Sequence, residues 1–205
     1  MKKLPSTVVQ LRQLVLVDMG NRRVSTSLLN SMSTLPSLSS LAITLRGPRE
    51  EDLQILGSMP SLRDLSLFVV YYWGEVQDKR LVIGNGCPFK SLIRFSIKST
   101  EATGFMFAQG TLQKLQILEL EFIRKTKDQF CDFQFGLENL SSLERVYVVS
   151  RYTDGGLSDA LQRELDINPN KPTLTVKKSC RGSKGFRAVA AAGQESWLTD
   201  KRPLI

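Results

Sequence analysis

The sequence predicts an α/β repeat solenoid, an arc with a parallel β-sheet on its concave face and short helices or loops on its convex face. One observation predicts it, and two others exclude rival classes. The pattern apolar-x-x-Leu-x-x-apolar-x-apolar recurs six times along the 205 residues. The longest apolar run, residues 65–73, falls far short of the roughly twenty residues a membrane helix needs. The chain holds no histidine, which removes Ser-His-Asp and Cys-His catalysis and most zinc sites.

The copies run as Val8, Leu11, Leu14, Leu16; Leu35, Leu38, Leu41, Ile43; and Met59, Leu62, Leu65, Leu67. They continue as Phe89, Leu92, Phe95, Ile97; Leu112, Leu115, Leu118, Leu120; and Leu140, Leu143, Val146, Val148, with a truncated copy at Leu174 and Val176. Second positions lie 27, 24, 30, 23 and 28 residues apart, around the roughly 20–29 residues of a leucine-rich repeat. In each copy the last two apolar positions form a short strand whose alternate side chains point inward. A single unit cannot bury that face, so units stack and the strands become one sheet.

The returns across the outer face follow from local signals. Ser25 or Thr26 caps a segment carrying Leu28 and Leu29. Behind Pro48, the carboxylates of Glu50, Glu51 and Asp52 suit a first helical turn, with Leu53 and Leu56 on the apolar side before Gly57. In the longest interval, residues 69–73 and 80–83 flank a polar stretch at 74–79 and read as an extended hairpin excursion. Leu157, Leu161 and Leu165 predict a closing amphipathic helix over about 157–167. Asn168-Pro169 ends it, and a last strand follows at about 173–177.

The repeat domain is thus expected over residues 1–178 and a disordered tail over 179–205. Five of the eight surplus positive charges fall in residues 177–205. Lys177, Lys178, Arg181, Lys184 and Arg187 could bind nucleic acid or anionic membrane, or act as a nuclear address. With Phe186 and Trp197 the only aromatics there, a solvated tail is the preferred reading and no nucleic-acid partner is expected. Cys87, Cys131 and Cys180 form no C-x-x-C pair, and no leader-like apolar stretch follows Lys2-Lys3. The sequence therefore reads as a soluble protein of the cytoplasm, or of the nucleus, with reduced thiols.

The segments at 35–43, 52–67 and 135–146 resemble the C-terminal repeats of plant nucleotide-binding leucine-rich-repeat disease-resistance proteins, the grass-type coiled-coil class most closely. The ending Asn168-Pro-Asn-Lys-Pro-Thr-Leu-Thr-Val is similar to their last strand. The resemblance covers about residues 4–178. It implies a non-catalytic protein-protein recognition module in innate immunity, one that senses a pathogen effector or a guarded host protein and restrains a nucleotide-binding module. The chain has no G-x-x-x-x-G-K-[ST] phosphate loop, so neither cofactor nor small-molecule substrate is expected. The alternative is a truncated regulatory or decoy fragment that binds a nucleotide-binding module in trans.

Residues between the inward leucines face the inner curve. In order they are Gln13, Val15, Val17; Ser40, Ala42, Thr44; Asp64, Ser66, Phe68; Arg94, Ser96, Lys98; Ile117, Glu119, Glu121; and Arg145, Tyr147, Val149. The C-terminal rows combine aromatic, Arg and carboxylate side chains of the kind that anchor interfaces. Phe68, Arg94, Lys98, Glu119, Glu121, Arg145 and Tyr147 are the candidate partner-binding residues. Register also allows cross-strand pairs of Lys98 with Glu121, and of Glu119 with Arg94 or Arg145. Glu119 and Glu121 do not suit acid-base catalysis, because they stand on an open, solvated face with cations alongside and no nucleophile or metal-ligand set accompanies them. Asn139-Leu140-Ser141 reads as a chance glycosylation sequon on a repeat turn.

Overall fold

The computed structural model describes residues 11–16, 24–70, 81–84, 86, 89–100, 105–123, 134–150 and 155–178. The excursion at 71–80, the three cysteines and the tail beyond Lys178 lie outside the described residues.

Within the described residues the motif copies fold as expected, each as a short strand, and the later ones are entered through a tight turn. The strands are β1 (Gln13–Leu16), β2 (Ser40–Arg46), β3 (Asp64–Val70), β5 (Arg94–Ser99), β7 (Ile117–Phe122), β8 (Arg145–Ser150) and β9 (Thr173–Lys178). They form one seven-stranded, wholly parallel sheet in the order β1-β2-β3-β5-β7-β8-β9. Leu65, Phe95, Leu118 and Val146 stand in register on successive strands and are at most 1% exposed. Burying each such side chain contributes about 1.5–3 kcal/mol.

The stacking register is fixed at the strand entries. The Ser39 carbonyl accepts both the Arg63 N–H (2.8 Å) and the Asp64 N–H (3.0 Å). The carbonyls of Arg63, Ile93 and Gln116 repeat the arrangement one unit further along each time. Beside this backbone ladder runs a hydroxyl ladder. Ser61 Oγ donates to the Pro36 carbonyl (2.6 Å), Ser91 Oγ to the Pro60 carbonyl (2.7 Å), and Ser142 Oγ to the Gln113 carbonyl. Each rung ties one repeat turn to the turn before it. Replacing Ser61 and Ser91 together with Ala is expected to cost about 1–2 kcal/mol and to lower Tm by several degrees in a thermal melt. An unchanged melt would show the rungs to be energetically idle.

The convex side changes character along the chain. Helix α1 (Thr26–Ser33) begins at Ser25, whose Oγ accepts the Leu28 N–H at 3.3 Å. It buries Leu29 and Met32, whereas Leu28 is 42% exposed. Helix α2 (Glu50–Gly57) carries three carboxylates in its first turn, and Asp52 Oδ2 accepts the Arg49 N–H at 3.0 Å. Leu53 and Leu56 then face inward. In the next two repeats, short strands β4 (Leu81–Ile83) and β6 (Phe105–Phe107) replace helices and pair with each other in parallel. Most of the expected hairpin, residues 71–80, lies outside the described residues; of its flanks, Val69 and Val70 belong to β3 and Leu81–Ile83 forms β4. Both edges of β3 are taken by β2 and β5, so β4 finds its partner in the following repeat. A 3-10 turn (Leu137–Asn139) and helix α3 (Gly155–Ile167) complete the outer face.

Between the two layers, six buried phenylalanines run through the C-terminal half. Phe89 stacks on Phe95, Phe95 meets Phe107 edge-on, and Phe105 touches Phe107, Phe122 and Phe135 with centroids 5.3–6.2 Å apart. These rings belong to the same buried core as the leucine ladder.

Candidate recognition surface

Parallel pairing lines up the solvent-facing residues in three rows across the strands. The entry row reads Ser40, Asp64, Arg94, Ile117, Arg145, Thr173. The middle row reads Ala42, Ser66, Ser96, Glu119, Tyr147, Thr175, and the far row Thr44, Phe68, Lys98, Glu121, Val149, Lys177. Val17 lies outside the described residues; the other sequence-derived positions share one face by register, but three of them do not reach its surface. Ala42 (8%), Thr44 (3%) and Ile117 (8%) are buried. The first two are short side chains, with Thr44 beside Phe68, and Ile117 stands between two arginines.

Charge on this face is partly neutralised. Lys98 Nζ lies 2.8 Å from Glu121 Oε1 and 5.9 Å from the centre of the Phe68 ring, so the ammonium is held between a carboxylate and an aromatic face. Phe68 is half-buried under it. Arg94 approaches Asp64 at 4.0 Å, with both side chains nearly half exposed. The expected pairing of Glu119 with Arg94 or Arg145 does not form. Register places Glu119 opposite Ser96 and Tyr147, while Arg145 stands opposite Ile117 and Thr173. Glu119, Tyr147 and Arg145 therefore lie together on β7 and β8 without an internal ion pair among the described residues.

Two polar residues that the hydrophobic pattern does not reveal hold the C-terminal end together. Glu164, on the buried face of α3, accepts the N–H of Phe135 (2.7 Å) and of Leu137 (2.9 Å). Asn168, one turn on, donates from Nδ2 to the carbonyls of Leu137 (2.7 Å) and Leu140 (3.0 Å), and its Oδ1 accepts the Asn170 N–H (2.9 Å). Burial pushes the Glu164 carboxyl above its ordinary pKa, against the opposing pull of those N–H donors. The receiving loop admits only glycine at 136, where φ is +74° and an added Cβ would lie 2.5 Å from the Phe107 carbonyl oxygen. Asn139 in the same loop donates to that carbonyl at 3.1 Å, so its amide is already committed. The sequon there is occupied structurally.

Among the described residues no group of three or more His, Cys, Asp or Glu side chains is placed to hold a metal, and no helix is long and apolar enough to cross a membrane. A parallel sheet with one face buried and the other open, stacked from repeated units, is the architecture of a repeat scaffold, a class that generally serves as an interaction module. The chain belongs to the leucine-rich repeat region family, which matches residues 23–174. Neither the curated proteins nor the solved structures contain a match.

Proposed function

We propose that the chain recognises a protein partner through the open face of its sheet, in plant innate immunity, the partner being a pathogen effector, a guarded host protein or a nucleotide-binding module. The observation that carries the reading is the cluster of Glu119, Arg145 and Tyr147 on β7 and β8. These side chains are presented by rigid strands and are not spent on one another. An aromatic and an arginine so placed are the usual anchors of a protein interface. Phe68, Arg94, Lys98 and Glu121 extend the surface toward β3, with the Lys98–Glu121 pair as a preformed polar rim. The immune assignment rests on the sequence resemblance over residues 4–178.

The test begins with a two-hybrid screen of the full chain against effector and host libraries, followed by titration calorimetry of each hit. Tyr147→Ala is expected to weaken a genuine partner about thirtyfold, equivalent to about 2 kcal/mol, with an unchanged melting curve. Arg145→Glu is expected to act in the same direction. Affinity unaltered in both variants would move the interface away from β7 and β8.

A further inference from the structure

A row of exposed cations runs along one margin of the sheet, and among the described residues only one of them stands in an ion pair, Arg94 with Asp64 at 4.0 Å. The turns leading into the strands carry Arg63, Lys90, Arg94, Lys114, Arg145 and Lys171, all exposed. Among the described residues at the strand entries the carboxylates are Asp64 and Glu144. Asp64 approaches Arg94 no closer than 4.0 Å, and the other five cations make no ion pair among the described residues. Deeper in the same face the charges are balanced, as the 2.8 Å contact of Lys98 with Glu121 shows. The surplus is therefore a property of the entry margin. It crosses from the β3 turn to the β9 turn, and successive strands about 4.8 Å apart make that span about 20 Å.

We infer that this margin binds an extended acidic peptide segment of the protein partner, laid across the strand entries. The inference rests on the reading of the open sheet face as a protein-recognition surface and names the chemistry of what it holds. An extended chain advances about 3.3 Å per residue, so about six residues cover the span. Alternate side chains on one edge of such a segment recur about every 6.6 Å, within reach of long Lys and Arg side chains on neighbouring turns. Nucleic acid fits less well. Asp64 and Glu144 interrupt the stripe, and a continuous phosphate backbone must pass both, whereas a peptide can set a neutral or basic residue there. The described turns also offer no aromatic ring on which a base would stack.

The experiment uses the full chain and a fluorescein-labelled dodecapeptide of alternating Glu and Ser, with its Gln-Ser counterpart and oligothymidylate as controls. Fluorescence anisotropy is expected to show binding of the Glu-Ser peptide that fades with added salt, and none of the Gln-Ser peptide. The double reversal Lys90→Glu/Lys114→Glu, at two exposed turn positions, should weaken binding about tenfold with no change in melting. Equal binding of the Gln-Ser peptide, indifference to the double reversal, or tighter binding of oligothymidylate would each overturn the inference. Tyr147→Ala separates it from the broader reading. A partner sensitive to Tyr147 but not to Lys90 and Lys114 removes the acidic segment and leaves the recognition surface standing.

Discussion

Leu118→Asp is expected to abolish the cooperative unfolding transition of the whole array. Leu118 is fully buried on β7, in register between Phe95 on β5 and Val146 on β8, both also fully buried. A carboxylate there has no cation or N–H donor free to meet it, since the neighbouring backbone groups are spent on the parallel ladder. Burying an unpaired charge costs several kcal/mol even after relaxation, and lost apolar burial adds about 2–3 kcal/mol. That sum is comparable to the whole stability of a domain. Because each repeat is stabilised by its neighbours, a break at the fifth strand in the sheet order separates two blocks that are each short of partners. Circular dichroism should show a shallow, non-cooperative melt. A sharp transition within a few degrees of wild type would mean that β7 can be displaced without loss of the stack.

Glu164→Ala is expected to give the second largest loss, about 2–4 kcal/mol, by leaving the buried N–H groups of Phe135 and Leu137 without an acceptor. The damage should be local at first. Hydrogen exchange at Phe135 and Leu137 should rise ahead of global unfolding, because α3 is held to the loop mainly by this carboxylate and by Asn168. The carboxyl also gives the fold a pH signature. Its folded-state pKa is raised by burial, so the folded chain retains a proton that the unfolded chain has already lost. Its contribution is therefore full below the ordinary glutamate pKa and declines as pH rises through the folded value. Glu164→Gln, which cannot titrate, should lie furthest below wild type in acid, and the gap should narrow as pH rises. A gap that widens with pH would show that the N–H donors outweigh burial.

What the sequence disclosed divides along physical lines. The leucine ladder was legible because burial repeats with the unit, and six copies of one spacing leave few alternatives. The Lys98–Glu121 pair was legible for the same reason, since register follows from the motif. The outer face was harder. Residues 69–73 and 80–83 carry the same apolar-polar-apolar pattern whether the second segment pairs with the first or with the following repeat, and β4 does the latter. Glu164 escaped notice because a polar residue within an amphipathic helix ordinarily marks the solvent side, whereas here it is buried with Leu157, Leu161 and Leu165, and Asn168 read only as part of the helix stop. The serines of the hydroxyl ladder look like any turn serine until the preceding turn is placed beneath them. At the recognition surface the rows were correct, but depth was not. Ala42 and Thr44 lie below their neighbours because local side-chain size, and not the strand period, decides which residues reach solvent.

The exchange of helices for the β4–β6 pair also governs how the molecule bends. Two helices packed side by side, as α1 and α2 are, need about 8–10 Å between axes, while the strands beneath them need only about 4.8 Å. That mismatch forces a wedge angle between adjacent units. Where β4 pairs with β6, both layers advance by the same interval and the wedge closes. The spacing mismatch therefore predicts more bending between the α1 and α2 units than between the β4 and β6 units. On that prediction a rounded partner surface would seat best near β2, and an extended strip of polypeptide would lie with least bending across β3 and β5.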